Sequence, residues 1–313
     1  MRFIETFREG NHISDVYLCK TKQIALTKNG KEYGSLVLQD KTGTVDAKIW
    51  ELNSPGINEF CALDYVYVDA DVTLFQGQSQ LNVKRIRKAD EGEYHPADYL
   101  PVTTKDIPTM QHELTQYITT IKNQYLRKLA SGYFNDPEFM KAFSFHSAAK
   151  SVHHGFVGGL LEHTLSVVKM CDYFSKQYPV LNRDLLLTAA MFHDIGKTKE
   201  LSAFPENDYT DDGQLLGHIV IGVEMLDEAI RAIPGFPPKL ASELKHCILS
   251  HHGELEYGSP KKPALAEAMA LNLADMTDAR MQTMKEILKD KHTTEMARIQ
   301  SMFESNLENR SLS

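Results

Sequence analysis

His193 and Asp194 stand side by side in Met191-Phe192-His193-Asp194-Ile195-Gly196-Lys197, directly after an apolar run that starts at Leu185. Imidazole nitrogen and carboxylate oxygen are the donors a hard or borderline divalent cation takes. A lone His-Asp pair is common on solvated helices, so its company decides what it means. His163 lies thirty residues before His193, and His218 twenty-four after Asp194. His251 and His252 follow a run ending Leu249-Ser250, and Asp275 closes Leu271-Asn272-Leu273-Ala274. Each is a polar residue at the inward end of its own helical run. Burying such groups is costly unless a cation or a partner satisfies them. The bland alternative, unrelated hydrogen-bonded histidines at helix ends, needs six coincidences within residues 163–275.

The order His163, His193-Asp194, His218, His251-His252, Asp275 resembles the HD superfamily of metal-dependent phosphohydrolases, over about residues 160–280. The resemblance implies that His163, His193, Asp194 and Asp275 hold one metal. Asp194 then bridges to a second metal held by His218, His251 and His252. Two such ions stand about 3.5–4 Å apart, generate a nucleophilic hydroxide and stabilise the attacking and leaving oxygens of a phosphodiester. Asp194 and Lys197 are the expected catalytic residues. Lys197 lies one helical turn from His193 and faces the same pocket, as phosphate neutraliser or general acid. A lysine at a helix C-terminus is also what the helix dipole favours by itself. No Cys is among the ligands, which excludes a thiolate zinc site. Mn²⁺ fits best, and Fe, Mg²⁺ and Co²⁺ fit as well.

The elements that must position these residues occupy a chain of 313 residues, a two-domain length. Its net charge of −8 excludes a uniformly basic nucleic-acid binder, so polyanion contacts need a local patch or metals. The four cysteines, 19, 61, 171 and 247, lack pairing spacing and read as reduced thiols. No leader pattern opens the chain and no apolar run reaches eighteen residues, so a cytoplasmic protein without membrane contact is expected.

Residues 1–90 read as β. Alternating stretches cover 12–20, 33–39, 45–50, 65–72 and 80–84, with turns at Asn29-Gly30, Asp40–Gly43 and Gln76-Gly77. Five strands with a non-strand segment (52–61) between the third and fourth predict a small Greek-key barrel, an OB-fold. Such barrels stack bases on aromatics in a basic groove. Tyr33, Trp50, Tyr67 and Phe75 are candidates, with Lys20, Lys22, Lys48, Lys84, Arg85 and Arg87. Residues 1–88 hold 12 Lys and Arg against 11 Asp and Glu, so the basic case is local to 84–88.

Residues 91–110 read as a linker rich in acid and proline, and 111–313 as an all-α HD domain, its metal core at 160–280. Helices are expected from Leu114 to Leu129, from Pro137, and over 160–174, 183–192, 217–230, 238–250 and 263–281. His153 and His154, just before the first ligand helix, and Tyr257, after the histidine pair, are candidate substrate contacts. The tail from Lys285 reads as either a helix for homo-oligomer formation or a partly disordered end.

The whole order, OB barrel then HD helices entered through Gly158-Gly159-Leu160-Leu161-Glu162-His163-Thr164, resembles the YhaM-type 3′→5′ exoribonucleases of Gram-positive bacteria, over about residues 1–285. That implies release of nucleoside 5′-monophosphates from single-stranded RNA, with single-stranded DNA as a second substrate. The alternative is an HD-type nucleotide or cyclic-dinucleotide phosphohydrolase. Its Gly-Tyr-Pro element is missing after the histidine pair, where only Tyr257-Gly258-Ser259-Pro260 stands.

Overall fold

The structure is a computed structural model that describes residues 1–150, 154–289, 297–299 and 305–307. The chain divides into two compact units, Met1–Val102 and Thr103–Ser313. The expected linker is therefore no separate piece. Its first part packs on the barrel, where Tyr94 stacks on Tyr65 at 3.8 Å and the Gln39 amide donates to the Tyr99 carbonyl. Its last part joins the helical unit through Thr103, whose amide donates to Val157 O, and Asp106, which caps the first helix.

The first unit holds β1 (His12–Leu26), β2 (Glu32–Asp40), β3 (Gly43–Ile49), β4 (Tyr65–Phe75) and β5 (Gln78–Lys88). They close into a barrel of order β1-β2-β3-β5-β4, in which only β3 and β5 run parallel. This is the OB-fold arrangement. Alternation explains it: Leu36, Leu38, Val45, Ala47, Val66 and Val68 point inward and are fully or nearly fully buried, while most of their neighbours are half-buried or exposed. β1 is longer than expected because it continues through an irregularity between Cys19 and Thr21, and so bends around the barrel.

The second unit contains α1 (Ile107–Thr120), α2 (Gln124–Phe134), α3 (Pro137–Phe145), α4 (Gly159–Gln177), α5 (Arg183–Phe192), α6 (Lys197–Glu200), α7 (Asp211–Leu215), α8 (Gly217–Arg231), α9 (Pro238–Leu249) and α10 (Ala266–Lys289). Leu114 to Leu129 is two helices, because Asn123 turns the chain and caps α2 with its side chain. α5 is the hub. Leu185 through Phe192 are all buried, as in a helix packed on every side. α4, α9 and α10 pack around it. Among the described residues, the helical unit departs from all-α in a short antiparallel pair, β6 (Ala297–Ile299) with β7 (Ser305–Leu307), and in a bridge between Leu201 and Tyr209. The remaining tail residues, and His153, lie outside the described residues.

Candidate metal centre

α5 ends at Phe192, and the chain turns through His193-Asp194-Ile195-Gly196 before α6 begins. Gly196 makes that turn possible. A Cβ there would meet His218 O at 2.0 Å and Gly222 N at 2.7 Å. The missing side chain lets the turn lie directly against α8 and brings His218 to Asp194.

Each of the five predicted histidines is aimed by its Nδ1. His193 donates to Ala190 O at 2.8 Å and His251 to Ile248 O at 2.7 Å. Both acceptors belong to the last turns of α5 and α9, whose carbonyls lack helical partners. His252 donates to Tyr257 O at 2.9 Å, His218 to Glu200 Oε1 at 2.9 Å, and His163 to Asp278 Oδ2 at 2.7 Å. A carbonyl or carboxylate oxygen can only accept, so every Nδ1 carries a proton and every Nε2 is the ring atom left to face a cation.

Those Nε2 atoms converge on Asp194. Its Oδ2 lies 3.5 Å from His163 Nε2 and 3.3 Å from His193 Nε2. Its Oδ1 faces His218 Nε2 at 3.6 Å and His251 Nε2 at 3.7 Å. Asp275 Oδ1 is 3.2 Å from His163 Nε2. His252 joins His218 and His251, the ligand atoms of the three lying within 4.8 Å of one another. Lys197 Nζ stands 2.7 Å from Asp194 Oδ2. All seven predicted ligands and the predicted lysine thus share one centre.

The donor set passes a direct test of fit. Asp194 Oδ1, His218 Nε2 and His251 Nε2 are buried and have no hydrogen-bond partner among the described residues. His163 Nε2 and His193 Nε2 are turned towards the same point, 3.1 Å apart. Such groups are costly unless a cation satisfies them. Electrostatics agree. Burial opposes a charge on His163, yet the Asp275 and Asp278 carboxylates outweigh it and push the ring's proton affinity up to about 10. A place that holds a proton so firmly suits a cation. Burial also opposes the Asp194 charge, but Lys197 and His193 hold it well below the usual carboxylate range. His251 is pushed down by burial and by its neighbour His252, which keeps it in the neutral form that ligates.

The centre opens into a cavity of about 780 Å³. Tyr257 lines it, as do Tyr209, Met269, Met276 and Arg280. His154 does not. It is buried behind His163, with its Nε2 on Asp278 Oδ2 at 3.0 Å. On the barrel, Trp50 is exposed and packs on Tyr33 at 5.0 Å, and Phe75 is exposed at the β4–β5 hairpin. The basic stretch is less free than its sequence suggests. Lys84 pairs with Asp71 and Arg85 with Asp69, each at 2.5 Å, while Arg87 pairs with Glu93 and Lys88 with Asp64. Sequence reading missed Glu200 and Asp278, the two carboxylates that accept from His218 Nδ1 and His163 Nδ1. The Asp275-x-x-Asp278 spacing on one helix face was the available signal for the second.

A buried cluster of imidazoles and carboxylates opening to a cavity, on a chain that also carries an OB barrel, defines a metal-dependent phosphohydrolase. The HD domain family model matches residues 160–280. The chain is 36% identical to the 3′-5′ exoribonuclease YhaM of Bacillus velezensis over 282 residues, 90% of this chain and 88% of that protein. It is 33% identical to the 3′-5′ exoribonuclease YhaM of Listeria welshimeri over 284 residues, 90% of each. Among solved structures, the second OB-fold domain of replication protein A from Methanococcus maripaludis matches at 21% identity and a TM-score of 0.20, covering 26% of this chain and 86% of that one. The chain belongs to the YhaM 3′-5′ exoribonuclease family.

Proposed function

We infer that this chain is a 3′-5′ exoribonuclease that hydrolyses phosphodiesters of single-stranded RNA to nucleoside 5′-monophosphates, with single-stranded DNA as a second substrate. One observation supports the reading above all: Asp194 turns one carboxylate oxygen to His163 and His193 and the other to His218 and His251. That is how a carboxylate shared by two divalent cations would be held. His163, His193, Asp194 and Asp275 would hold one, and Asp194, His218, His251 and His252 the other. When bound, such cations lower the pKa of water and offset phosphate charge. Mn²⁺ suits the nitrogen and carboxylate donors best, with Co²⁺, Fe and Mg²⁺ as alternatives.

The protein's own groups do the rest. The five Nδ1 hydrogen bonds fix the rings, so no reorganisation is needed on loading. Lys197 stays protonated because the Asp194 charge outweighs its burial, and its Nζ is placed to hold a phosphate oxygen or give a proton to the leaving oxygen. Arg280 is exposed, lines the cavity and has no ion pair or hydrogen bond among the described residues. The other two lysine and arginine cations of the cavity lining are ion-paired, Lys197 with Asp194 and Lys150 with Asp208. Arg280 is thus a cation left unpaired among the described residues and open to an RNA phosphate, and Tyr257 and the two methionines offer faces for bases. On the barrel, Trp50 on Tyr33, with Lys48 at 5.9 Å over the Tyr33 ring, forms a stacking platform with a cation. A mononucleotide or cyclic-dinucleotide enzyme has no use for that platform. Four free cysteines accord with a reducing compartment, the cytoplasm. Among the described residues no helix is long and apolar enough to cross a membrane.

The test is purified protein with Mn²⁺ and single-stranded RNA labelled at one end or the other. A 5′ label should shorten stepwise while a 3′ label leaves at once as mononucleotide. Internal cuts, or intact RNA with hydrolysed mononucleotides, would overturn the reading.

A further inference from the structure

His154 precedes α4 in an unusual backbone state, with φ of +62° in a residue that is neither Gly nor Asn. Its carbonyl oxygen packs onto the first turn of α4, where a Cβ on Gly159 would meet it at 2.0 Å. Gly159 therefore has a physical purpose, which is to admit the His154 backbone, whereas Gly158, at φ of +84°, lies against Thr103. The ring so placed reaches α10. Its Nε2 lies 3.0 Å from Asp278 Oδ2, the oxygen that also accepts from His163 Nδ1 at 2.7 Å. The Ser166 hydroxyl donates to the other oxygen, Oδ1. Three donors from two parts of the chain thus converge on one carboxylate. His163 Nε2, on the far side of the ring, faces Asp275 and Asp194.

Two details separate this group from the substrate. Neither His154 nor Asp278 lines the cavity, whereas His163, Asp194 and Asp275 do. His154 Nδ1 is buried with no hydrogen-bond partner among the described residues, a cost that a ring kept only for packing would avoid.

We propose that Asp278 and His154 are positioning residues of the metal centre: Asp278 fixes the tautomer and angle of His163, and His154 fixes Asp278. This rests on His163 being a metal ligand. A carboxylate behind a ligating imidazole holds the ring in place and raises its basicity, and losing it weakens metal binding about 10–100-fold. The same three groups could instead hold an ion of their own, since their ligand atoms lie within 4.8 Å of one another. His163 would then have to bind through Nδ1 and turn its protonated Nε2 towards the other ligands, which would remove it from the main centre.

The experiment is calorimetric titration of Mn²⁺ into the full chain after chelator treatment, with Michaelis–Menten kinetics on a short RNA at saturating Mn²⁺. Asp278→Asn keeps the shape of the side chain and should weaken Mn²⁺ binding about 10–100-fold. Its KM for RNA should stay within about twofold of wild type. His154→Ala should weaken binding in the same direction and by less. His154→Gln, which can still donate to Asp278, should recover most of the loss. Unchanged Mn²⁺ affinity with raised KM in either variant would overturn the proposal in favour of an RNA contact. Loss of one bound ion with the others unaffected would overturn it in favour of a separate ion site. His163→Ala is the control for the underlying reading. Wild-type Mn²⁺ binding in that variant would sink the ligand assignment, whereas loss there with none in Asp278→Asn would sink the positioning proposal alone.

Discussion

Asp194 touches both halves of the centre, so its removal should cost more than that of any single histidine. Asp194→Asn keeps the volume and loses the charge. Its kcat on RNA should fall by roughly 10³-fold or more, while filter-binding affinity for single-stranded RNA stays within a few-fold, because backbone contacts lie elsewhere. Loss of binding in parallel with activity would refute that division. Arg280→Ala should do the reverse. KM should rise about tenfold with kcat little changed, and the slope of log affinity against log salt should shrink by about one, as for one lost phosphate contact. The convergence of the seven proposed ligands was legible in the sequence because each stands in or at the end of an apolar helical run, where no packing reason calls for a polar group. Glu200 and Asp278 were not, because an orienting carboxylate looks like any other acid on a helix until its partner ring is in place. Nor was the role of His154, which a loop position made look accessible and whose backbone buries it. Lys84 and Arg85 misled for a related reason: their carboxylate partners sit across the sheet, on β4.

At the scale of elements, α4 and α5 are joined by a charged contact that can be read by pH. Asp172 on α4 is buried and bonds Arg183 Nε at 2.8 Å and Lys176 Nζ at 2.6 Å. Burial opposes its charge, but the two cations win and hold the carboxyl below its ordinary value. A carboxyl with a depressed folded-state pKa contributes stability above its unfolded value of about 3.9 and loses it as pH falls through the folded one. Asp172→Asn should therefore cost about 1–3 kcal/mol at pH 7 in denaturant melts, and the gap from wild type should close below about pH 4. A gap independent of pH would show that the contact is not electrostatic. Gly196→Ala should be harsher, because its Cβ would overlap His218 O at 2.0 Å and push α8 from the turn. Loss of Mn²⁺ binding is expected together with a lower melting temperature. The long helices could be read from their apolar period. α6 and α7 could not, since four or five residues hold barely one turn of pattern. The break between α1 and α2 hid inside a periodic run because an asparagine cap leaves the apolar spacing intact.

For the whole molecule, the proposed function gives the two units separable tasks. Trp50→Ala should raise KM for long RNA several-fold and leave hydrolysis of bis(p-nitrophenyl) phosphate unchanged, since one stacked base is worth about 1–3 kcal/mol and the small diester has none to stack. Equal losses on both substrates would remove the barrel from substrate binding. The barrel was legible from strand count and turn residues. The division at Val102 was not, because an acidic, proline-rich stretch looks like a spacer even where its tyrosines pack on a barrel. The way the ligand rings are anchored carries a last implication. His193, His251 and His252 hang from main-chain oxygens of residues 190, 248 and 257. No substitution at those three positions can delete the acceptor, so a change of side chain there removes no hydrogen bond from the ring. Only His163 and His218 depend on another residue's side chain, and inherited damage to ring alignment is funnelled onto two acids, Asp278 and Glu200.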